Sequence, residues 1–386
     1  LKTWLTLLFS GFAVLGLLTA GCEQLTQQNT LLQSSWHTYA NRFVQGDGRV
    51  IDFKAGHITT SEGQSYGLMR ALWTRDRSRF DQIYHWSVNN LQTRGDKLFS
   101  WQWGPRKDGS WGVMDKTAAS DADQDIAFAL LMAYKAWGDD RYRTEALAIL
   151  NDLWRLETVQ TPIGRVMLPG DWPRSDPKAE YQINPSYFAP YAYRVFAEAD
   201  KAHPWADLIS TSYKITGEAA AMTRTRLVPD WVALSPQTGT IRLYTEDARS
   251  DFGYEAIRTY WRFAVDRLIS PEDARPAPWL NHLGILSRYW ELQHGFPGPL
   301  TPTGQPRKVL DSDAIYGAML PALIPKHGGL SMDVVQFKVL PGLRDAHIQK
   351  TEDYYAQNWL WFGLAAAWKH PAGKTPTQRL LNLMTL

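Results

Sequence analysis

Asp121, Asp123 and Asp125 stand at alternate positions in Ala119-Ser120-Asp121-Ala122-Asp123-Gln124-Asp125-Ile126, and a long apolar run follows to Trp137. Ile126, Leu130, Ala133 and Trp137 recur at three- and four-residue spacing, so they share one helical face. Ser120 followed by Asp123 fits a capping-box start, which puts Asp121 and Asp123 in the first turn. The helix macrodipole by itself favours acids there. A calcium loop is excluded. With Asp121 as position 1, the Gly required at position 6 is Ile126 and the Glu required at position 12 is Met132. Two more acids sit at helix starts. Glu62 follows Ser61 in Thr59-Thr60-Ser61-Glu62-Gly63-Gln64-Ser65-Tyr66-Gly67, and Glu255 lies in Ser250-Asp251-Phe252-Gly253-Tyr254-Glu255-Ala256-Ile257-Arg258. Carboxyl groups gathered at helix starts suit proton transfer, provided one is held protonated and another ionised. The plainer readings are a first-turn acid for Glu62 and a surface i,i+3 pair for Glu255 and Arg258.

The 119–137 run resembles the signature of glycoside hydrolase family 8: Ala, Ser or Thr, Asp, Ala or Gly, Asp, two free positions, Ile or Met, Ala, then small and apolar residues to an aromatic. Every required position matches. The resemblance extends over about residues 35–370. It is greatest to the endoglucanases that accompany bacterial cellulose synthesis, which share Arg49-Val50-Ile51-Asp52 and Ile58-Thr59-Thr60-Ser61-Glu62-Gly63-Gln64. It implies that Glu62 is the general acid and that Asp121 contacts the sugar at the cleavage point. Asp123 is then left to the helix cap. Tyr254-Glu255-Ala256-Ile257-Arg258 resembles Tyr-Asp-Ala-x-Arg, in which the Asp is the general base and the Arg orients it. Here the base position holds Glu255, one methylene longer; Asp251, a helical turn earlier, is the other candidate. Asn184-Pro185-Ser186-Tyr187 resembles the segment whose Tyr sits near the attacking water, so Tyr187 takes that role. Trp111, Trp172, Tyr254, Tyr354 and Tyr355 are the implied sugar-binding aromatics. One physical difficulty follows. A helix N-terminus lowers a carboxyl pKa, the wrong direction for an acid, so burial and the charge of Asp121 have to raise Glu62.

These residues need elements to hold them. Apolar periodicity predicts about twelve helices, over 31–44, 61–75, 80–92, 121–138, 141–156, 186–199, 204–222, 252–268, 275–292, 312–323, 331–338 and 352–369. Short strands are expected near 163–168 and 238–244. Phe99 to Trp111 reads as a loop. Pattern alone gives a large all-α domain. The resemblance makes it an (α/α)6 barrel of six inner and six outer helices. The expected organisation is a lipoprotein signal peptide over 1–21, a tether over 22–30, the catalytic domain over 31–370 and a C-terminal tail over 371–386. The signal reading rests on Lys2, the apolar run after it, and Thr19-Ala20-Gly21-Cys22, which resembles a lipobox. Cys22 is the single cysteine, so an internal disulfide is excluded.

Composition narrows the function classes. There are 41 basic and 39 acidic residues, a formal charge of +2. That is no footprint for nucleic acid. Trp, at 18, outnumbers Tyr at 17 and Phe at 14, and flat apolar faces with a polar edge suit stacking on sugar rings. No phosphate loop, His-Glu-x-x-His or Gly-x-Ser-x-Gly occurs, so no metal or organic cofactor is expected. The implied function is an inverting endo-1,4-β-glucanase acting on a β-1,4-glucan. It is expected to be monomeric, exported and lipid-anchored in the cell envelope. The alternatives are a related enzyme acting on xylan, chitosan or mixed-linkage glucan, and a glucan-binding lipoprotein that has lost its base. An isoprenoid-handling helical toroid is excluded, since Asp139-Asp140 is followed by no matching acid.

Overall fold

Helices form where the apolar residues recur every three or four positions. They are α1 (26–43), α2 (Ser61–Trp73), α3 (Arg77–Leu91), α4 (Ser120–Trp137), α5 (Asp140–Glu157), α6 (Pro190–Ala199), α7 (Trp205–Met222), α8 (Ala256–Ile269), α9 (Gly284–Gln293) and α10 (Asp313–Leu323). Then come α11 (Gly328–Val334), a π turn Val335–Val339, the short α12 (Leu340–Gly342) and α13 (Asp345–Ile348), α14 (Tyr354–Ala366) and α15 (Pro376–Leu383). This computed structural model describes residues 26–172, 176, 178–273, 275, 277–308 and 311–386. The signal peptide, Cys22 and the tether up to residue 25 lie outside the described residues.

Six helices, α2, α4, α6, α8, α10 and α14, pack in that order, and α14 returns to α2 to close a ring. Helices α3, α5, α7 and α11 back onto α2, α4, α6 and α10. Helix α1 covers the seam between α14 and α2. There the Trp361 indole donates to Leu32 O at 2.9 Å, and the Arg70 guanidinium lies 4.1 Å from the Tyr39 ring centre. This is the (α/α)6 barrel. Its axis is filled by aromatics: Trp261 of α8 meets Trp359 and Phe362 of α14 at 5.9 and 5.7 Å, and Tyr66 of α2 meets Trp359 at 5.6 Å. Many of the tryptophans are therefore core. Helices α10 and α14 touch backbone to backbone. A Cβ at Gly317 would stand 2.1 Å from Trp359 O, and one at Gly363 would stand 2.0 Å from Gly317 O.

Four places depart from the sequence reading. The supposed loop before α4 is a β-hairpin, β2 (Ser100–Pro105) and β3 (Trp111–Ala118), joined to β1 (Thr59–Thr60) just ahead of α2. Its turn is Arg106–Ser110, with Gly109 at φ +83°. The helix expected over 275–292 starts late. A 3₁₀ turn, Pro278–Asn281, precedes α9, because proline supplies no N–H to a helix interior. The segment 371–386 holds α15, which crosses under α4, α6 and α8 and accepts the Trp73 indole at Leu383 O at 3.1 Å. The capping box at Ser120 does not form. The N-cap is Ala119, Ser120 Oγ donates to Leu168 O at 2.6 Å, and Asp123 accepts the Phe99 N–H at 2.9 Å. Asp123 thus ties the hairpin to α4 instead of capping it.

The remaining strands pair as two-stranded β4 (Thr158–Thr161) with β5 (Gly164–Met167), and three-stranded β6 (Tyr181–Ile183), β7 (Val232–Leu234) and β8 (Ile241–Leu243). β9 (Gly298–Leu300) pairs with β10 (Pro306–Lys308). The strands expected near 163–168 and 238–244 are β5 and β8.

Candidate active site

Arg258 joins the acids. It sits in the first turn of α8 and is 1% exposed. One terminal nitrogen donates to Glu62 Oε2 at 2.7 Å and to Asp121 Oδ2 at 2.9 Å; the other donates to Glu255 Oε2. Three carboxylates from three inner helix starts therefore share one guanidinium. Glu255 and Arg258 are not a surface pair. One turn further into the barrel the pattern repeats: Arg262 pairs with both oxygens of Asp125 at 2.8 and 2.7 Å, with Tyr191 beside them. Asp121 and Asp125 are four apart on α4, as Arg258 and Arg262 are on α8. The alternating acids thus supply two rungs across the barrel.

If all three carboxylates ionised, two negative charges would stand uncompensated in a buried site. Like charges at such range do not all ionise. Burial pushes Glu62 up to about 7, and the charges of Asp121 and Glu255 push it the same way. The Arg258 charge and a hydrogen bond from Tyr354 pull it down. Burial also raises Asp121, against the pull of Arg258. Desolvation therefore overrides the helix N-terminus and leaves Glu62 able to hold a proton near neutral pH. The other Glu62 oxygen, Oε1, accepts the Tyr354 hydroxyl at 2.8 Å.

Glu255 has one oxygen on Arg258 and on Asn184 Nδ2, the latter at 2.9 Å, and its other oxygen bonds no group among the described residues. Its side chain is 36% exposed, open to water. Glu62 and Glu255, held by the two ends of one guanidinium, lie less than about 8 Å apart. Inverting pairs span about 6.5–9.5 Å and retaining pairs about 5–5.5 Å, and this bound admits both. Asp251, the other candidate base, is not available. It is 1% exposed and locked to Arg307 by two bonds of 2.7 and 3.2 Å.

Tyr187 ends a 3₁₀ turn capped by Asn184, and its ring lies 5.2 Å from the Arg258 charge centre. Its backbone oxygen accepts Gln124 Nε2 at 3.1 Å, while its hydroxyl bonds no group among the described residues. Burial raises that phenol. β6 and β7 pair Ile183 with Val232, so Asn184 and Trp231, the next residues on each strand, emerge together.

Of the implied sugar-binding aromatics, Trp111, Trp172 and Tyr254 are exposed at 48%, 41% and 42%. Trp111 packs on Trp103 at 5.4 Å, with the Arg49 guanidinium 4.6 Å from the Trp103 ring. Trp172 packs on Trp231 at 6.0 Å, and Trp231 on Tyr187 at 6.2 Å. Tyr354 and Tyr355 act otherwise. Tyr354 is buried and donates to Glu62, and the Tyr355 hydroxyl donates to Tyr254 O at 2.6 Å. Sequence reasoning missed Asn184 as a partner of Glu255, Trp231 as an aromatic packed on Trp172 and Tyr187, and Asp230. Asn184 carried a signal, since it stands inside the quoted Asn-Pro-Ser-Tyr segment; Trp231 carried none, since β7 was not among the expected strands.

The chemistry this arrangement can do is acid–base hydrolysis, with exposed aromatic rings available to stack on sugars. A family model described as glycosyl hydrolases family 8 matches residues 7–277. The chain belongs to this family. Curated relatives include an endoglucanase of Pseudomonas fluorescens (strain SBW25), 34% identical over 260 residues, 66% of this chain and 64% of that protein. An endoglucanase of Escherichia coli (strain K12) is 33% identical over 267 residues, 68% of this chain and 69% of that protein. The chain thus spans about two thirds of their length. Among solved structures, the endo-1,4-D-glucanase from Vibrio fischeri ES114 aligns with a TM-score of 0.73 at 27% identity, over 86% of this chain and 94% of that one. Tyr354, which completes the site, lies beyond the segment that the family model matches.

Proposed function

We propose that this family 8 hydrolase is an inverting endo-1,4-β-glucanase. The observation that carries the reading is the single Arg258 guanidinium shared by Glu62, Asp121 and Glu255. The names of its relatives supply the substrate class. Water held by Glu255 and Tyr187 attacks the anomeric carbon. Its proton passes to Glu255 as the glycosidic bond breaks, and the Glu62 proton goes to the departing oxygen. Asp121 supplies a negative charge beside the developing oxocarbenium ion. The extra methylene of Glu255 is absorbed by its contacts with Arg258 and Asn184, which argues for a working base over a glucan-binding protein that has lost it.

The test is release of reducing ends from carboxymethyl-cellulose by residues 23–386, compared with Glu62→Gln and Glu255→Gln. Active wild type with at least a hundredfold loss in both variants supports the reading. Activity on xylan or chitosan alone would move the substrate class. Binding of glucan without hydrolysis of any would leave the non-catalytic reading standing. We also propose that the protein is exported and anchored in the cell envelope through lipid on Cys22, and that it acts as a monomer on its cell's own polymer. Labelled palmitate incorporated by the full chain and lost in Cys22→Ser supports the anchor; equal labelling of both would refute it.

A further inference from the structure

Asp230 lies in Pro229-Asp230-Trp231, ahead of β7 and more than twenty positions before Glu255 in the sequence. Its Oδ1 accepts two peptide N–H groups, Gly253 at 3.0 Å and Ala256 at 2.7 Å, which flank Tyr254 and Glu255. The two chains also pair through their backbones: Asp230 N donates to Asp251 O at 2.7 Å and Trp231 N to Arg249 O at 2.8 Å. Glycine at 253 leaves room for the carboxyl, since a Cβ there would stand 2.4 Å from Asp230 Oδ2. The far side of the same loop is fixed by Phe252 pairing with Leu300 and by Asp251 on Arg307.

We propose that Asp230 is a positioning residue for the base: it sets the backbone from which the Glu255 arm departs, so that a glutamate reaches the place where the family pattern has an aspartate. This rests on the hydrolase reading. Glu255 itself has no side-chain cap on α8; Asp230 supplies the acceptor for the N–H groups that its helix start leaves open. Burial pushes Asp230 up to about 8, the Glu255 charge adds to the rise, and its two N–H bonds and Arg258 oppose it. A carboxyl that is neutral at working pH keeps Oδ1 as acceptor without adding a second negative charge beside the base. Through Trp231, the same segment also carries the aromatic that packs against Trp172 and Tyr187, so Asp230 joins these rings to the base loop.

A displacement of about 1 Å in a catalytic group costs on the order of a hundredfold. Asp230→Ala should therefore lower kcat on carboxymethyl-cellulose by about fiftyfold or more, with KM within about threefold. Asp230→Asn keeps a neutral acceptor at the Oδ1 position and should hold kcat within about fivefold of wild type. Gly253→Ala, which drives a methyl into the carboxyl, should resemble Asp230→Ala. Amide hydrogen exchange at Gly253 and Ala256 should accelerate in Asp230→Ala and stay slow in Asp230→Asn. Wild-type kcat in Asp230→Ala would overturn the proposal. So would an Asp230→Asn variant as slow as Asp230→Ala with both amides still protected, since the carboxyl would then act chemically. If wild type hydrolyses no glycan, the hydrolase reading falls; hydrogen exchange then judges the hold, and unchanged exchange in Asp230→Ala refutes it.

Discussion

At Glu62 the balance between burial and Arg258 sets a pH dependence. In the proposed mechanism Glu62 acts protonated, and burial pushes it up to about 7. On the basic limb, activity should fall about tenfold per unit above pH 7, while the acid limb belongs to the base. A pH–rate profile of kcat/KM with no basic limb before about pH 9 would contradict this assignment of the acid. Stability follows the same proton. The folded protein keeps it from the ordinary carboxyl range up to about 7. Stability should therefore decline as pH rises through that window. Glu62→Gln removes the buried charge, so it should melt higher than wild type at pH 8 and nearly level with it at pH 5. Glu62, Asp121, Glu255 and Arg258 were legible as candidates because each stands at a helix start in a run of distinctive spacing. Asp230 was not. It holds the base by pairing with residues more than twenty positions away, and nothing in Pro-Asp-Trp marks that partner.

The helices were legible for a related reason: apolar periodicity records the face each buries, and that face survives whatever the neighbours are. The β2–β3 hairpin was hidden because Ser100–Pro105 is rich in Trp, which suits a loop, a core or a strand equally. Its pairing with β1 is a tertiary fact. The same holds for α15, too short to show two full apolar repeats. Ring closure, too, depends on a contact no pattern displays. Where α10 meets α14, Gly317 and Gly363 leave no space for a methyl group. Gly317→Ala should destabilise the protein by about 3 kcal/mol or more, since the backbone of Trp359 cannot step aside as a side chain would. A denaturant midpoint unchanged from wild type would show that the two helices are free to separate.

Across the whole molecule, exposed Trp111 packs on half-buried Trp103, and exposed Trp172 on half-buried Trp231. Under the proposed endo-acting reading, two such faces grip a polymer at sugars on either side of the cut. Trp111→Ala and Trp172→Ala should each raise KM for long glucans several-fold and leave kcat within about threefold. Equal losses in kcat would place these rings at the reacting sugar instead. The bond from Tyr354 to Glu62 spans 292 positions of the chain. Glu62 therefore has its full environment only once the last ring helix has docked on the first. Such long-range closure is slow. On refolding from denaturant, activity should return with the slowest phase, behind helix content. A chain crossing a membrane unfolded would thus carry no working acid until it reached the far side.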